Sequence, residues 1–154
     1  MMTKMKRIGS VETNYHIYQK KLGSYMIVFL SEKHSVSLVN FEWCDFMSEE
    51  TLAFKADLVI DGVMVGYCKN DGQGGCADYY GYNDWNLTNK AAEEIGKMEN
   101  YCFPKMNLSL SDVIDNIASL MVTLITSNIK SNTMALCVVN EIQKRADHYR
   151  KKYS

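Results

Sequence analysis

Three features of the chain predict an α+β fold, with an antiparallel sheet in the first half and helices in the second. An Asp-Gly pair separates two alternating apolar runs, and further runs upstream are rich in β-branched and aromatic residues. After Asn86 the apolar spacing changes from two to three and four. A length of 154 residues suits one domain with a single core. Its sheet region covers 13–83 and its helical region 86–152, with 1–12 expected to be flexible. About four to six strands and two to three helices are expected to pack on one another.

Residues 52–60 and 63–69 alternate around Asp61-Gly62, a pair suited to a type I′ turn because both central residues need positive φ. That turn sets a register in which Ile60 faces Val63, Leu58 faces Val65 and Ala56 faces Tyr67, so that all six share the core face. Lys55, Asp57, Val59, Met64, Gly66 and Cys68 then lie on the other face. Upstream, residues 25–30 and 36–43 flank Glu32-Lys33-His34 as a second hairpin. Residues 14–20 can add a strand, with Tyr15 and Ile17 on one side.

Ala91, Ala92, Ile95, Met98 and Cys102 fit a short helix. Ser109 and Asp112 form a capping-box variant ahead of a stripe of Leu110, Val113, Ile114, Ile117, Met121 and Leu124. Thr133 is the expected cap of a last helix with Ala135, Val138, Val139, Ile142, Ala146, Tyr149 and Tyr153 as its apolar positions. Lys144, Arg145, Arg150, Lys151 and Lys152 lie toward its negative end. Residues 134–139 also fit a strand, since short apolar runs do not distinguish the two.

Apolar residues are 47% and charged residues 23% of the chain, the balance of an ordinary globular protein rather than a disordered or fibrous one. The net charge of −1 conceals basic ends and an acidic middle. Residues 1–24 carry five Lys and Arg against one acid, and residues 25–100 carry five against thirteen. An acidic middle can attract a basic partner, although surface charge is ordinarily solvated and needs none. The longest apolar run, 25–30, is far below the ~20 residues of a membrane span, and no apolar stretch follows the basic start. Five scattered cysteines without Cys-x-x-Cys pairing suit free thiols in a cytoplasmic protein.

Two segments could carry function. In Asn70-Asp71-Gly72-Gln73-Gly74-Gly75 the glycines free the backbone, so successive amides could hold a phosphate, or the segment is simply a wide turn between strands. Neither dinucleotide-binding nor P-loop spacing occurs there, and Asp71 and Asp78 would oppose an anion. Tyr79, Tyr80, Tyr82 and Trp85 crowd the next stretch, as a contact surface or base-stacking platform, or as an edge strand packed on the helices. The candidate ligand-binding residues are therefore Asn70, Gly72, Gln73, Gly74, Gly75, Tyr79, Tyr80, Tyr82 and Trp85.

Cys68 and Cys76 flank the glycine segment, yet His16, His34 and His148 are distant in sequence, so a zinc site lacks ligands. No cofactor or metal is expected. The neighbouring acids Glu49-Glu50 and Glu93-Glu94 point apart in regular structure and read as solvated. Nucleic acid is not expected as a partner, because only the last helix offers a basic face.

Ser48-Glu49-Glu50-Thr51-Leu52-Ala53-Phe54-Lys55-Ala56-Asp57-Leu58, followed by Asp61-Gly62, Val65-Gly66 and Asn70-Asp71-Gly72-Gln73-Gly74-Gly75, resembles a signature of small uncharacterised proteins from bacterial and phage mobile elements. The resemblance brings no catalytic residue. It implies proteins that act by binding, as inhibitors of host defence systems or as ligand sponges. Three functional readings follow. The first is a non-enzymatic binder of a basic protein, forming a homodimer through its helices. The second is a nucleotide or phosphate binder using the glycine segment, and the third is an enzyme with Cys68 or Cys76 as nucleophile.

Overall fold

Residues 5–45 and 51–154 are described by a computed structural model. Seven strands lie side by side in chain order in one sheet: β1 (Lys6–Val11), β2 (Tyr15–Lys21), β3 (Ser24–Leu30), β4 (Ser35–Trp43), β5 (Phe54–Ile60), β6 (Val63–Asn70) and β7 (Asp78–Gly81). Every neighbouring pair is antiparallel. Three helices follow: α1 (Trp85–Ile95), α2 (Leu110–Thr126) and α3 (Asn132–Lys152). The α+β class is as expected, but seven strands exceed the four to six predicted. The segment expected to be flexible contains β1, paired along β2 and covered by α3. Residues 134–139 are helical.

The hairpin turn forms as its chemistry requires, with Asp61 at φ 52° and Gly62 at φ 78°. Its register holds only at the first two pairs. Ile60 faces Val63 and Val59 faces Met64, but Leu58 faces Gly66, so Val65 is an extra residue on β6. This bulge reverses the facing of everything beyond it. Ala56, Leu58, Ile60 and Val65 are buried as expected, whereas Tyr67 and Val63 are exposed and Cys68 lies in the core. The Val65 carbonyl accepts the Tyr82 and Asn83 amides at 3.0 and 2.9 Å, tying the end of β7 to the bulge.

All three helices lie on one face of the sheet. α3 packs on β1, α2 on β3 and β4, and α1 on β5, β6 and α2. Beneath them Tyr15, Ile17, Ile27, Phe29, Val36, Leu58 and Ile60 meet Val113, Ile114, Ile117 and Leu124 of α2. Each fully buried large side chain contributes roughly 1.5–3 kcal/mol. The buried Tyr15 hydroxyl is satisfied by the Asn116 amide at 2.8 Å. At Gly9 an added Cβ would meet Val139 Cγ1 at 3.0 Å, so glycine lets α3 lie close on β1.

The Ser109–Asp112 capping box forms, with bonds of 3.0 and 3.1 Å. α3 is capped by Ser131, whose hydroxyl accepts the Met134 amide, two residues ahead of the predicted Thr133. α1 begins at Trp85, capped by Asp84, and ends at Ile95, so Met98 and Cys102 lie beyond it. No helix among the described residues is long and apolar enough to cross a membrane.

Three elements are joined by His34. Its Nδ1 lies 2.7 Å from Asp61 in the β5–β6 turn, and its Nε2 lies 3.5 Å from Glu94 of α1. The same carboxylates accept the Ser35 and Lys33 amides at 2.8 and 2.9 Å. His34→Ala should lower stability by about 1–2 kcal/mol, read from the urea midpoint. Burial pushes the Glu94 carboxyl upward, but the Lys33 amide, the Ser31 hydroxyl and the cationic neighbours outweigh it and hold the pKa below the ordinary 4.5. A depressed carboxyl stabilises the fold above that ordinary value and loses the contribution as pH falls through its folded value. Glu94→Gln should therefore flatten the acid limb of a stability–pH curve; an unchanged limb would refute the role.

Candidate functional site

The glycine segment is organised around the side chain of Asn70. Its Oδ1 accepts the Thr51 hydroxyl and the Gly72 amide, both at 2.9 Å, while its Nδ2 donates to Gly75 O at 3.3 Å and to Asp115 of α2 at 3.1 Å. The other Asp115 oxygen accepts the Ala77 amide at 2.9 Å, and Gly74 donates to Thr51 Oγ1 at 3.3 Å. Gly72, Gly74 and Gly75 have φ of 81°, 90° and 88°, the left-handed conformation that makes glycine useful here.

These bonds take up the Gly72, Gly74 and Ala77 amides, three of the donors that an anion in this segment would use. Burial raises the Asp115 carboxyl pKa above its ordinary value, and Asp112 and Asp78 add to the rise against the Ala77 and Asn70 bonds. An incoming phosphate would meet that acidic group. Asn70 and Asp71 border a cavity of about 350 Å³ shared with Trp43, Lys55 and Lys69, whereas Gly72, Gln73, Gly74 and Gly75 do not line it. Gln73 is exposed. The segment is built as a latch between the sheet and α2.

The aromatic segment divides in two because β7 alternates. Tyr80 and Tyr82 lie on the face away from the helices, while Tyr79 packs against the core and toward Trp85, ring centroids 6.4 Å apart. Trp85 lies on Gly81, where an added Cβ would come within 2.3 Å of its ring. On the outer face Tyr80 stacks on Tyr67 at 4.8 Å and 21°, and Tyr82 stands 6.3 Å from Tyr67. The Tyr82 hydroxyl approaches Met64 Sδ at 4.0 Å. Tyr67, Tyr80, Tyr82 and Met64 are 41%, 42%, 58% and 44% exposed, a contiguous row of large side chains that the helices leave uncovered.

Polar groups border this row. Asn40 donates to Asp57 at 2.7 Å and Lys55 pairs with Glu42 at 3.2 Å, around a depression of about 330 Å³ that Tyr67 also lines. Lys69 pairs with Asp71 at 3.6 Å. Tyr67 and Met64 were absent from the sequence-derived candidates. Gly66 is the signal that could have found them, since a glycine inside a strand often marks a bulge.

Burial sets the chemistry of two of the thiols. Cys68 is fully buried with its Sγ 3.7 Å from Ala56 O, and burial first, then Asp115 and Asp57, pushes its pKa up to about 12. Cys102 is pushed up to about 11, by burial and then by Glu12. Thiols so shifted are protonated at neutral pH and poorly nucleophilic. Cys76 is exposed. Among the described residues no three His, Cys, Asp or Glu side chains converge as metal ligands. Glu49 and Glu50 lie outside the described residues.

Fold and surface together define an α+β protein with an open-faced seven-stranded antiparallel sheet, helices on one side and an exposed tyrosine row on the other. None of the family models, curated proteins or solved structures compared with the chain matches it.

Proposed function

We propose that the chain is a non-enzymatic binding protein that engages a protein partner through the outer face of β6 and β7. The observation that carries this reading is the contact of three exposed tyrosine rings, Tyr67, Tyr80 and Tyr82, on the helix-free face. Such rings give large contact area at low entropy cost and are common energetic centres of interfaces. Asp57, beside Tyr67, and Asp78, two residues before Tyr80, favour a basic partner. The resemblance to small mobile-element proteins supports an inhibitor that acts by occupying such a partner, for instance a component of a host defence system.

The test is affinity capture followed by measured binding to the recovered partner. Tyr67→Ala and Tyr80→Ala should each weaken binding by about 2 kcal/mol, roughly 30-fold, without changing the fold. Recovery of one partner with equal affinity by wild type and both variants would remove the outer face from the interaction.

A further inference from the structure

A second exposed aromatic group lies on α3, where the sequence pattern placed Tyr149 and Tyr153 among the buried positions. Only Ala146 is buried in the last two turns of that helix, and Tyr149 and Tyr153 are 45% and 40% exposed. Arg145, His148, Tyr149, Lys152 and Tyr153 recur at three and four residues, which puts them on one face, and all five are exposed. Tyr149 and Tyr153 lie nearly parallel, 10° apart with centroids at 6.3 Å. Phe103 extends the row at 4.9 Å from Tyr153, and His148 extends it at the other end, 5.9 Å from Tyr149. The Lys152 ammonium sits 5.3 Å from the Tyr153 ring.

The nearby acids face elsewhere. Glu141 pairs with Lys144, Asp147 accepts from Tyr101 and Gln143, and Glu99 pairs with Arg150, whose guanidinium also caps the Tyr101 ring and carbonyl. Among the described residues Arg145, Lys151 and Lys152 have no carboxylate within ion-pair reach. Cations at a helix carboxyl end complement its dipole, but that effect gives no reason for a row of exposed rings between them.

We propose that this stripe binds single-stranded nucleic acid, with bases stacking on Tyr149, Tyr153 and Phe103 and with Arg145 and Lys152 holding phosphates. Alternating rings and cations are what a single strand needs, since each nucleotide brings one stacking face and one charge. A membrane-surface helix separates an apolar face from a basic one, whereas here the cations stand among the rings on the same face. The surface lies on a different element from the β6–β7 tyrosines and does not depend on their role.

Fluorescence anisotropy of the full chain with labelled single strands of about 20 nucleotides, DNA and RNA, at low salt tests this. Binding is expected, with Tyr149→Ala weakening it roughly 5- to 100-fold and Tyr149→Phe retaining it. Lys152→Ala should lower the slope of log affinity against log salt by about 0.7. Circular dichroism melts confirm that each variant is folded, and charge reversal, Lys152→Glu, provides a second variant. The proposal is overturned by no binding, by equal binding of Tyr149→Ala, by preference for duplex, or by association with phosphatidylserine vesicles alone.

Discussion

Gly66→Ala is expected to detach β7 from the sheet and to lower stability by about 3 kcal/mol. An added Cβ at this position would stand 1.9 Å from Tyr80 O and 2.8 Å from Gly81 Cα, and both obstacles are backbone. The strands can yield only by giving up the pairs Gly66–Gly81 and Tyr67–Tyr80. With them go the Tyr67–Tyr80 stack and the two amide bonds to Val65 O, so the outer tyrosine row disperses. Urea unfolding measures the loss, and faster hydrogen exchange at the Tyr82 and Asn83 amides places it at β7. A variant of wild-type stability with both amides still protected would show that the strands do not approach this closely.

Asp115→Ala should cost about 2–3 kcal/mol, because it strands the buried Ala77 amide and removes one of the two bonds of the Asn70 amide group. Two hydrogen bonds to a charged acceptor outweigh the relief of removing a partly buried carboxylate. Hydrogen exchange should rise at Gly72, Gly74 and Ala77 before it rises in the core strands. Asp115→Asn separates charge from geometry. A carboxyl whose folded pKa is raised stabilises the fold fully below its ordinary value, 3.8, and loses that contribution as pH rises through the folded value. The stability difference between wild type and Asp115→Asn should therefore move in favour of the amide as pH rises through that window. A difference independent of pH would mean that the carboxyl is not desolvated.

What was legible in the sequence was whatever is encoded locally. The Asp61-Gly62 turn, the Ser109–Asp112 cap and the apolar stripe of α2 each depend on residues within a few positions of one another, and each appears in place. Register was lost where local alternation is interrupted. The bulge at Val65 moved Tyr67 from the expected core to the surface, and a second irregularity between Val39 and Glu42, with Asn40 at φ 53°, does the same work in β4. β1 was unreadable because Lys6-Arg7-Ile8-Gly9-Ser10-Val11 has little alternation, and its glycine is explained only by Val139, far along the chain. The same limit applied to the candidate site. Nothing near Asn70 announces that Asp115, 45 residues later, will take its amide and turn an apparent anion cradle into a latch.

The packing of α3 on β1 sets an order in time. β1 is synthesised well before α3, which covers it, so the apolar side of β1 stays open to solvent until Val139 has emerged and can settle on Gly9. During that interval the nascent chain presents an uncovered apolar surface beside the open edge that β1 keeps in the folded sheet. Lys6 and Arg7 at the start of that strand place positive charge at the sheet edge, a feature that discourages sheet-to-sheet association with other chains.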